Sequence, residues 1–372
     1  MRKIIIAAFC FIIFFGIQMD PLKGEEKPAV NVYGYIKADG IYETGNSSHG
    51  NFIIWARDPG QSNGLFYLTA KETRIGAAVS GFGFGKFKVS GKLEVDFQST
   101  GTEENKPYNY MRHAYLEISN GSLAIIVGQT WDIISPLNPV TLNYPVMWGA
   151  GNIGYRRPQL SMRYDAKAGQ HVVTVQAGVF RTIASDYDND SIEDGAAAGF
   201  PTVQGRVAGK VALSQTASLQ VGVSGHYGKS KGVISYTSDS LNLDLLWVFS
   251  PQFKIIAEAF TGKNLGTYFG GIVQYVNPAL GKEIASKGFY VNGVVNPSKK
   301  LQFSVGYGVD NPDDQTLSTG MRSKNQSYWG NVLINLSSSL KVGFEVSNWI
   351  TDYLARAQQE SLRLQHSWIL YF

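Results

Sequence analysis

Residues 87–98 read FKVSGKLEVDFQ, an unbroken alternation of twelve residues. Side chains of an extended strand point to opposite faces in turn. Phe87, Val89, Gly91, Leu93, Val95 and Phe97 therefore share one face, and Lys88, Ser90, Lys92, Glu94, Asp96 and Gln98 the other. The same period of two recurs in LNLDLLWVF (241–249), LQFSVGYGVD (301–310) and LKVGFEVS (340–347). A chain so dominated by this period is all-β. A soluble sandwich also alternates, but two details favour a closed barrel in a membrane. The apolar row from Phe87 to Phe97 is about 33 Å long, or about 25 Å once tilted, the height of the apolar band of an outer-membrane barrel. The opposite row carries charges in mid-strand, which a water-filled interior tolerates and the dry core of a sandwich does not. Composition agrees. Only 17% of residues are charged, against about 25% in soluble domains, and the chain holds 41 Gly, 20 Tyr and 20 Phe.

Beyond residue 30 no apolar run approaches the roughly 20 residues of a transmembrane helix. Strands are expected instead near 30–42, 67–80, 84–98, 109–118, 122–131, 159–165, 171–181, 202–213, 217–227, 240–249, 253–261, 287–296, 300–310, 327–336, 339–350 and 361–372. The connections alternate in length. Short ones fall at GFG (81–83), NG (120–121), AKAGQ (166–170), SQTA (214–217), SPQ (250–252), PSKK (297–300) and SSS (337–339). Long ones fall at 43–66, 132–158, 182–201, 262–286 and 311–326. Sixteen antiparallel strands with short turns on one rim and long loops on the other describe a bacterial outer-membrane barrel, with both termini and the short turns periplasmic. The chain ends in SLRLQHSWILYF, whose Leu362, Leu364, Trp368, Leu370 and Phe372 form the lipid-facing row of the closing strand. Such a strand must pair with the first, because an open edge is not tolerated in lipid. His366 interrupts the row without an evident reason.

The N-terminus reads as a secretory signal: Arg2 and Lys3 precede the 14-residue apolar run Ile4–Ile17. Residues 1–24 are expected to be removed, leaving 25–372 as one barrel domain. Cys10, the single cysteine, lies in the leader. The mature chain then has no disulfide and no thiolate metal site. Its net charge falls from +4 to +2, which gives no support for nucleic-acid binding.

The segment Asp132–Pro158 contains Pro136, Pro139, Pro145 and Pro158 and no charged residue between Asp132 and Arg156. A long surface loop of that composition would be odd in water, and loops of this length are usually functional. It is expected to fold into the barrel and narrow it. Arg156 and Arg157 close this loop. With Arg74, Arg112, Arg163, Arg181 and Arg206 they form a candidate basic ladder, since a lipid-facing arginine costs about 2–4 kcal/mol at mid-membrane and a guanidinium donates bidentately to carboxylates and phosphates. Glu72, Glu94, Asp96, Glu117 and Asp132 form a candidate opposing acidic wall, and a field between the two would orient polar solutes. The acidic stretch 186–194 begins like a calcium loop, but Ser191 and Ala197 stand where such a loop needs Gly and Glu. It reads as a solvated loop, with divalent bridging to lipopolysaccharide left open. GFGFG (81–85) lacks the last glycine of a dinucleotide fingerprint and reads as a hairpin turn. No cofactor or metal is expected.

Four stretches resemble one family in particular. VYGYIKADGIY (32–42), RHAYLEI (112–118), IIVGQTWDIISPLNP (125–139) and GNIGYRRPQLSMRY (151–164) are similar to segments of the DcaP-like trimeric outer-membrane porins. GQTW followed by a proline-containing loop and RRPQL is the most specific part. The resemblance implies a homotrimer with one pore per subunit and uptake of small anionic solutes, dicarboxylates among them. It also implies that the terminal aromatic, Phe372, is read by the barrel-assembly machinery. The leading expectation is a passive channel for small hydrophilic solutes in the outer membrane, in contact with its lipid and lipopolysaccharide. The alternatives are a barrel enzyme, such as a lipase or protease, and a plugged adhesin-type barrel. Neither His113 nor His366, both within expected strands, has an evident catalytic companion in the sequence.

Overall fold

The computed structural model describes residues 28–58, 64–98, 104, 106–184, 186 and 190–372. The expected leader 1–24, with Cys10, lies outside them, as does Asp188 of the acidic stretch.

Sixteen antiparallel strands follow one another around a closed cylinder. They are β1 (Ala29–Glu43), β2 (in two parts, Leu65–Thr69 and Arg74–Phe84), β3 (Phe87–Asp96), β4 (Tyr110–Ser119), β5 (Leu123–Trp131), β6 (Arg156–Ala168), β7 (His171–Phe180) and β8 (Thr202–Ala212). The second half comprises β9 (Ser218–Lys231), β10 (Ser235–Ser250), β11 (Phe253–Lys263), β12 (Ala285–Ser298), β13 (Leu301–Pro312), β14 (Arg322–Asn335), β15 (Leu340–Tyr353) and β16 (Gln359–Tyr371). Both parts of β2 pair with β1, so they count as one interrupted strand. β16 closes the ring against β1 from Tyr35↔Tyr371 to Glu43↔Arg363.

Every expected strand is present with some shift of its ends, and three of the differences bear on the fold. The first turn is Gly85–Lys86, where Gly85 supplies a left-handed φ of 56°. Gly81 to Gly83 instead lie in β2, at a register shift between Val79 and Phe82. β6 begins at Arg156 and includes Pro158, so the loop before it ends at Tyr155. β9 and β10 run past the expected ends to a connection of only three residues, 232–234, giving the longest paired ladder among the hairpins of the loop-bearing rim.

The alternation sorts as the pattern requires. In β16, Leu362, Leu364, Trp368 and Leu370 are exposed on the outer face, while Arg363, Gln365 and Ser367 are buried inside. His366 is on the outer face too, and its ring covers Gly40, its register partner in β1. A Cβ at position 40 would lie 2.1 Å from the imidazole Cε1. The histidine therefore fills the gap left by a glycine across the closing seam. That seam ends with Gly34 and Phe372 exchanging backbone hydrogen bonds of 3.1 and 3.2 Å.

Candidate functional site: the inward loop and its arginines

The loop between β5 and β6, residues 132–155, is mostly buried inside the barrel, with Pro136 and Asn138 exposed. Its course is fixed by inward-facing polar side chains on successive strands. The N–H of Ile133 donates to Gln204 of β8 (3.0 Å), that of Leu137 to Glu258 of β11 (2.7 Å) and that of Val140 to Asn292 of β12 (2.9 Å). The Val140 carbonyl accepts from Ser304 of β13 and from Trp329 and Asn331 of β14 at 2.9–3.1 Å. Leu142 and Asn143 donate their N–H groups to the two oxygens of Glu345 on β15 (2.6 and 3.2 Å). The Leu142 carbonyl accepts from Lys37 of β1 (2.9 Å) and Gln365 of β16 (3.0 Å). Eleven extended residues reach about 35 Å, enough for this belt along the inner wall.

The belt explains why the segment carries no charge. Its backbone supplies donors and acceptors, the wall supplies carboxylates and amides, and a charged side chain would have to be buried between them. The prolines at 136 and 139 lock φ between the donor positions and have no N–H to leave unpaired.

From Tyr144 the chain turns back across the barrel. It packs against residues 44–58 of the first long loop and against the loop between β11 and β12, 264–284. Asn143 exchanges hydrogen bonds with Ile53 (3.3 and 2.9 Å). Gly149 and Gly154 donate to the carbonyls of Phe269 and Tyr268 (2.8 and 2.9 Å). Trp148 stacks on Phe269 at 4.3 Å. Two apolar clusters seal these contacts, one of Ile53, Met147, Ala150, Trp329 and Trp349, the other of Ile134, Ile153, Phe260, Leu265 and Tyr268.

The arginines divide into three kinds. Arg112, Arg157 and Arg206 are buried and paired. Arg112 donates to Glu94 (2.9 Å), Asp96 (2.5 Å) and the Tyr144 hydroxyl (3.2 Å). Burial pushes the Tyr144 phenol up to about 12, so it stays protonated and donates to Asp96 (3.1 Å). Arg157 meets Asp132 at 2.8 Å and lies over the Tyr268 ring at 3.9 Å. Arg206 grips Asp244 through two nitrogens (3.0 and 2.6 Å). Arg74, Arg163 and Arg181 are more exposed. Arg74 stands 3.6 Å from Glu94, Arg163 stands 3.3 Å from Asp165, and Arg181 pairs with Glu193 in the following loop. Arg156 is a kind by itself. It is 2% exposed, yet none of its three guanidinium nitrogens has a hydrogen-bond partner among the described residues. Trp131, Tyr155 and Tyr110 surround it at 4.7, 4.8 and 5.9 Å from their ring centres, so cation–π attraction replaces the ion pairs of its neighbours.

The expected separation into a basic ladder and an opposing acidic wall is not what the barrel builds. Glu94 and Asp96 sit beside Arg112, and Asp132 beside Arg157, because adjacent strands place them side by side. Glu72 pairs with Lys37. Glu117 lies half-buried on β4, opposite Ser90 and Ile126. Asp186 of the acidic stretch accepts from the N–H groups of Asp190 and Ser191 (3.2 and 2.9 Å), closing a local turn. His113 does have neighbours that the sequence did not show, Thr130 at 2.9 Å and Glu94 at 3.8 Å. The second distance exceeds a hydrogen bond, and that Glu94 oxygen already accepts from Arg112. Sequence reasoning missed the belt-holding residues Gln204, Glu258, Asn292, Asn331, Glu345 and Gln365. Their signal was a single amide or carboxylate at an inward mid-strand position, as in the alternation of LKVGFEVS.

Neither a protein-family model nor a curated protein matches the chain. Solved structures do. The outer-membrane channel DcaP of Acinetobacter baumannii aligns over 94% of this chain and 99% of its own, with a TM-score of 0.77 and 21% identity. The anion-selective porin of Comamonas acidovorans aligns over 93% and 100%, with a TM-score of 0.61 and 13% identity. OmpF of Salmonella typhi aligns over 94% and 99%, with a TM-score of 0.57 and 11% identity. The resemblance read in residues 32–164 thus extends to the architecture of the whole barrel: the chain has the closed sixteen-stranded antiparallel fold of the DcaP channel and the outer-membrane porins.

Proposed function

We propose that the chain is a DcaP-like porin of the bacterial outer membrane, a passive channel for small hydrophilic solutes that favours anions such as dicarboxylates. Residues 1–24 serve as the export signal, both termini are periplasmic, the assembled form is a homotrimer, and the assembly machinery reads Phe372. The observation that carries the reading is the combination of an inward loop with a buried arginine, Arg156, at the loop's C-terminal end. A barrel of sixteen strands has room for water, the loop narrows it, and a guanidinium without a carboxylate partner leaves a positive potential beside the narrowing. The partnered Arg112, Arg157 and Arg206 contribute less, since their charges are cancelled locally. Anion preference in the porin of Comamonas acidovorans is consistent with this choice of solute.

The test is the reversal potential in a KCl gradient across a planar bilayer. The wild type should favour chloride, succinate should compete for the pore, and Arg156→Ala should shift the ion preference toward cations, while Arg163→Ala, whose arginine has Asp165 beside it, should shift it less. A wild type without anion preference, or an Arg156→Ala variant with unchanged preference, refutes the anionic reading.

A further inference from the structure

Between the belt and the short-turn rim, the inner wall of β12–β15 opens into a recess of about 440 Å³. Period two carries its lining down from the belt anchors. Asn296 follows Asn292 on the inward face of β12, Gln302 precedes Ser304 on β13, Asn335 follows Asn331 on β14 and Lys341 precedes Glu345 on β15. Hydrogen bonds fix the amides. Gln302 donates to the side-chain oxygen of Asn296 (2.9 Å), and the Asn335 amide to the carbonyl of Lys299 (2.7 Å). Asn335 is also the register partner of Lys341, and its backbone N–H donates to the Lys300 carbonyl at 2.8 Å. One strand spacing on either side of Asn335 puts Lys299 and Lys341 about 10 Å apart at their Cα atoms. Both ammonium groups then reach one solute. The Lys341 ammonium stands 4.8 Å over the ring of Tyr371. Leu301 and Leu333 give the recess an apolar side. Its lining holds two lysines and no carboxylate. The inward carboxylates nearest in sequence, Glu258 and Glu345, are engaged by the belt. The terminal carboxylate, on Phe372, lies at the β16–β1 seam beside Gly34. Glu117 and Asp165, the acids of the short-turn half on β4 and β6, stand across the barrel, and Asp165 has Arg163 beside it.

We infer that this recess is a binding station for a small hydroxylated carboxylate, the size of a hexuronate, in the short-turn mouth of the pore. The ligand follows from the lining. Recesses of about 300–1,000 Å³ hold small solutes. Two ammonium groups without a local acid call for a carboxylate, and a charge-assisted hydrogen bond to one is stronger than a neutral bond. The amides of Asn296, Gln302 and Asn335 keep donors and acceptors beyond the bonds that fix them, and these suit hydroxyl groups. A plain dicarboxylate would engage the lysines and leave the amides to water. A neutral sugar would engage the amides and leave the lysines to water. A hydroxylated carboxylate uses both. Its station lies on the far side of the belt from the long loops, so a solute leaving the narrowing meets a second, separate set of partners, and weak multi-site binding of this kind suits passage. The inference deepens the channel reading above and rests on it in one respect, that solutes pass this rim.

The experiment titrates the full detergent-solubilised protein with D-glucuronate, succinate and D-glucose and reads apparent affinity by saturation-transfer NMR. Glucuronate should bind at least threefold more tightly than succinate, and glucose more weakly than either. Lys299→Gln with Lys341→Gln should weaken glucuronate at least fivefold, and Lys299→Arg with Lys341→Arg should retain it. Gln302→Leu, which keeps the side chain's bulk and removes its amide, should weaken glucuronate at least threefold and leave succinate within twofold. Lys86→Gln with Lys167→Gln, on the opposite half of the same rim, should change neither acid by more than twofold. Glucuronate affinity within twofold of wild type in the Lys299/Lys341 Gln variant, an equal loss in the opposite-rim control, or glucuronate bound no better than succinate each overturns the proposal. Bilayer conductance of the same preparations is read separately. A protein that conducts anions and does not bind glucuronate counts against the station alone, and one that binds glucuronate and does not conduct counts against the channel reading alone.

Discussion

Glu345 is the most heavily used anchor of the inward loop. Its two oxygens accept from the N–H groups of Leu142 and Asn143 and from the amide of Asn331 (3.0 Å), and the side chain is 3% exposed. Glu345→Ala leaves three donors without this acceptor. Hydrogen bonds to a charged group contribute about 1.5–3 kcal/mol each, and a buried donor left unpaired costs about 1–3 kcal/mol. Water entering the gap recovers part of this, so a net loss of about 3 kcal/mol for the belt's local closure is a reasonable lower figure. The barrel itself is spared, because the β14–β15 ladder at Asn331↔Glu345 is backbone to backbone. The reporter is Leu142→Cys, at a buried belt position. With the leader removed it would be the only thiol, since Cys10 is the chain's one cysteine. When opening is fast relative to labelling, 3 kcal/mol corresponds to more than a hundredfold faster maleimide labelling. Glu345→Gln, which keeps one acceptor oxygen, should fall between. Glu117→Ala, which removes no belt contact, should leave the rate unchanged. A Glu345→Ala rate within threefold of the parent, in a barrel that still migrates as folded, would refute the belt account.

Gly40→Ala places a methyl where the His366 ring lies and should lower barrel stability by about 1–3 kcal/mol, as overpacking does; Gly40→Ala with His366→Ala should recover most of it, read by the temperature at which the folded band disappears on gels. Burial, aided by Arg322 and Arg57, holds the His49 imidazole down at about 4. Because its unfolded value is about 6.5, the open loop binds the proton first, and the packing of residues 44–58 should weaken as pH falls from 6.5 toward 4, by up to about 3 kcal/mol. Protease protection of that loop should follow this curve in the wild type and flatten in His49→Gln; an identical pH dependence in both would remove His49 as the cause.

Much of the barrel was legible because its signal is local. Period two and turn spacing located all sixteen strands, and a charge-free, proline-bearing segment between two strands marked the inward loop. The errors have physical causes. Gly81 and Gly83 look like turn residues in one dimension, but a register shift absorbs them within β2 and the reversal waits for Gly85. The upper residues of the β9–β10 hairpin are lysines and serines, which read as loop until a rim above the apolar band is allowed for. The arginines were found, but their partners were not, since which acid faces which arginine depends on register between strands. Arg206 meets Asp244 across β9, 38 residues away. The belt anchors were hidden for the same reason. Glu258 and Glu345 look like ordinary inward-facing charges until the loop's path gives them donors.

Bilayer conductance of the purified protein tests most directly whether this barrel is the anion-favouring, loop-narrowed channel proposed above. The account predicts ohmic steps that insert in groups of three, with a reversal potential on the anion side that moves toward cations in Arg156→Ala. A folded, heat-resistant barrel that inserts without conducting would contradict it.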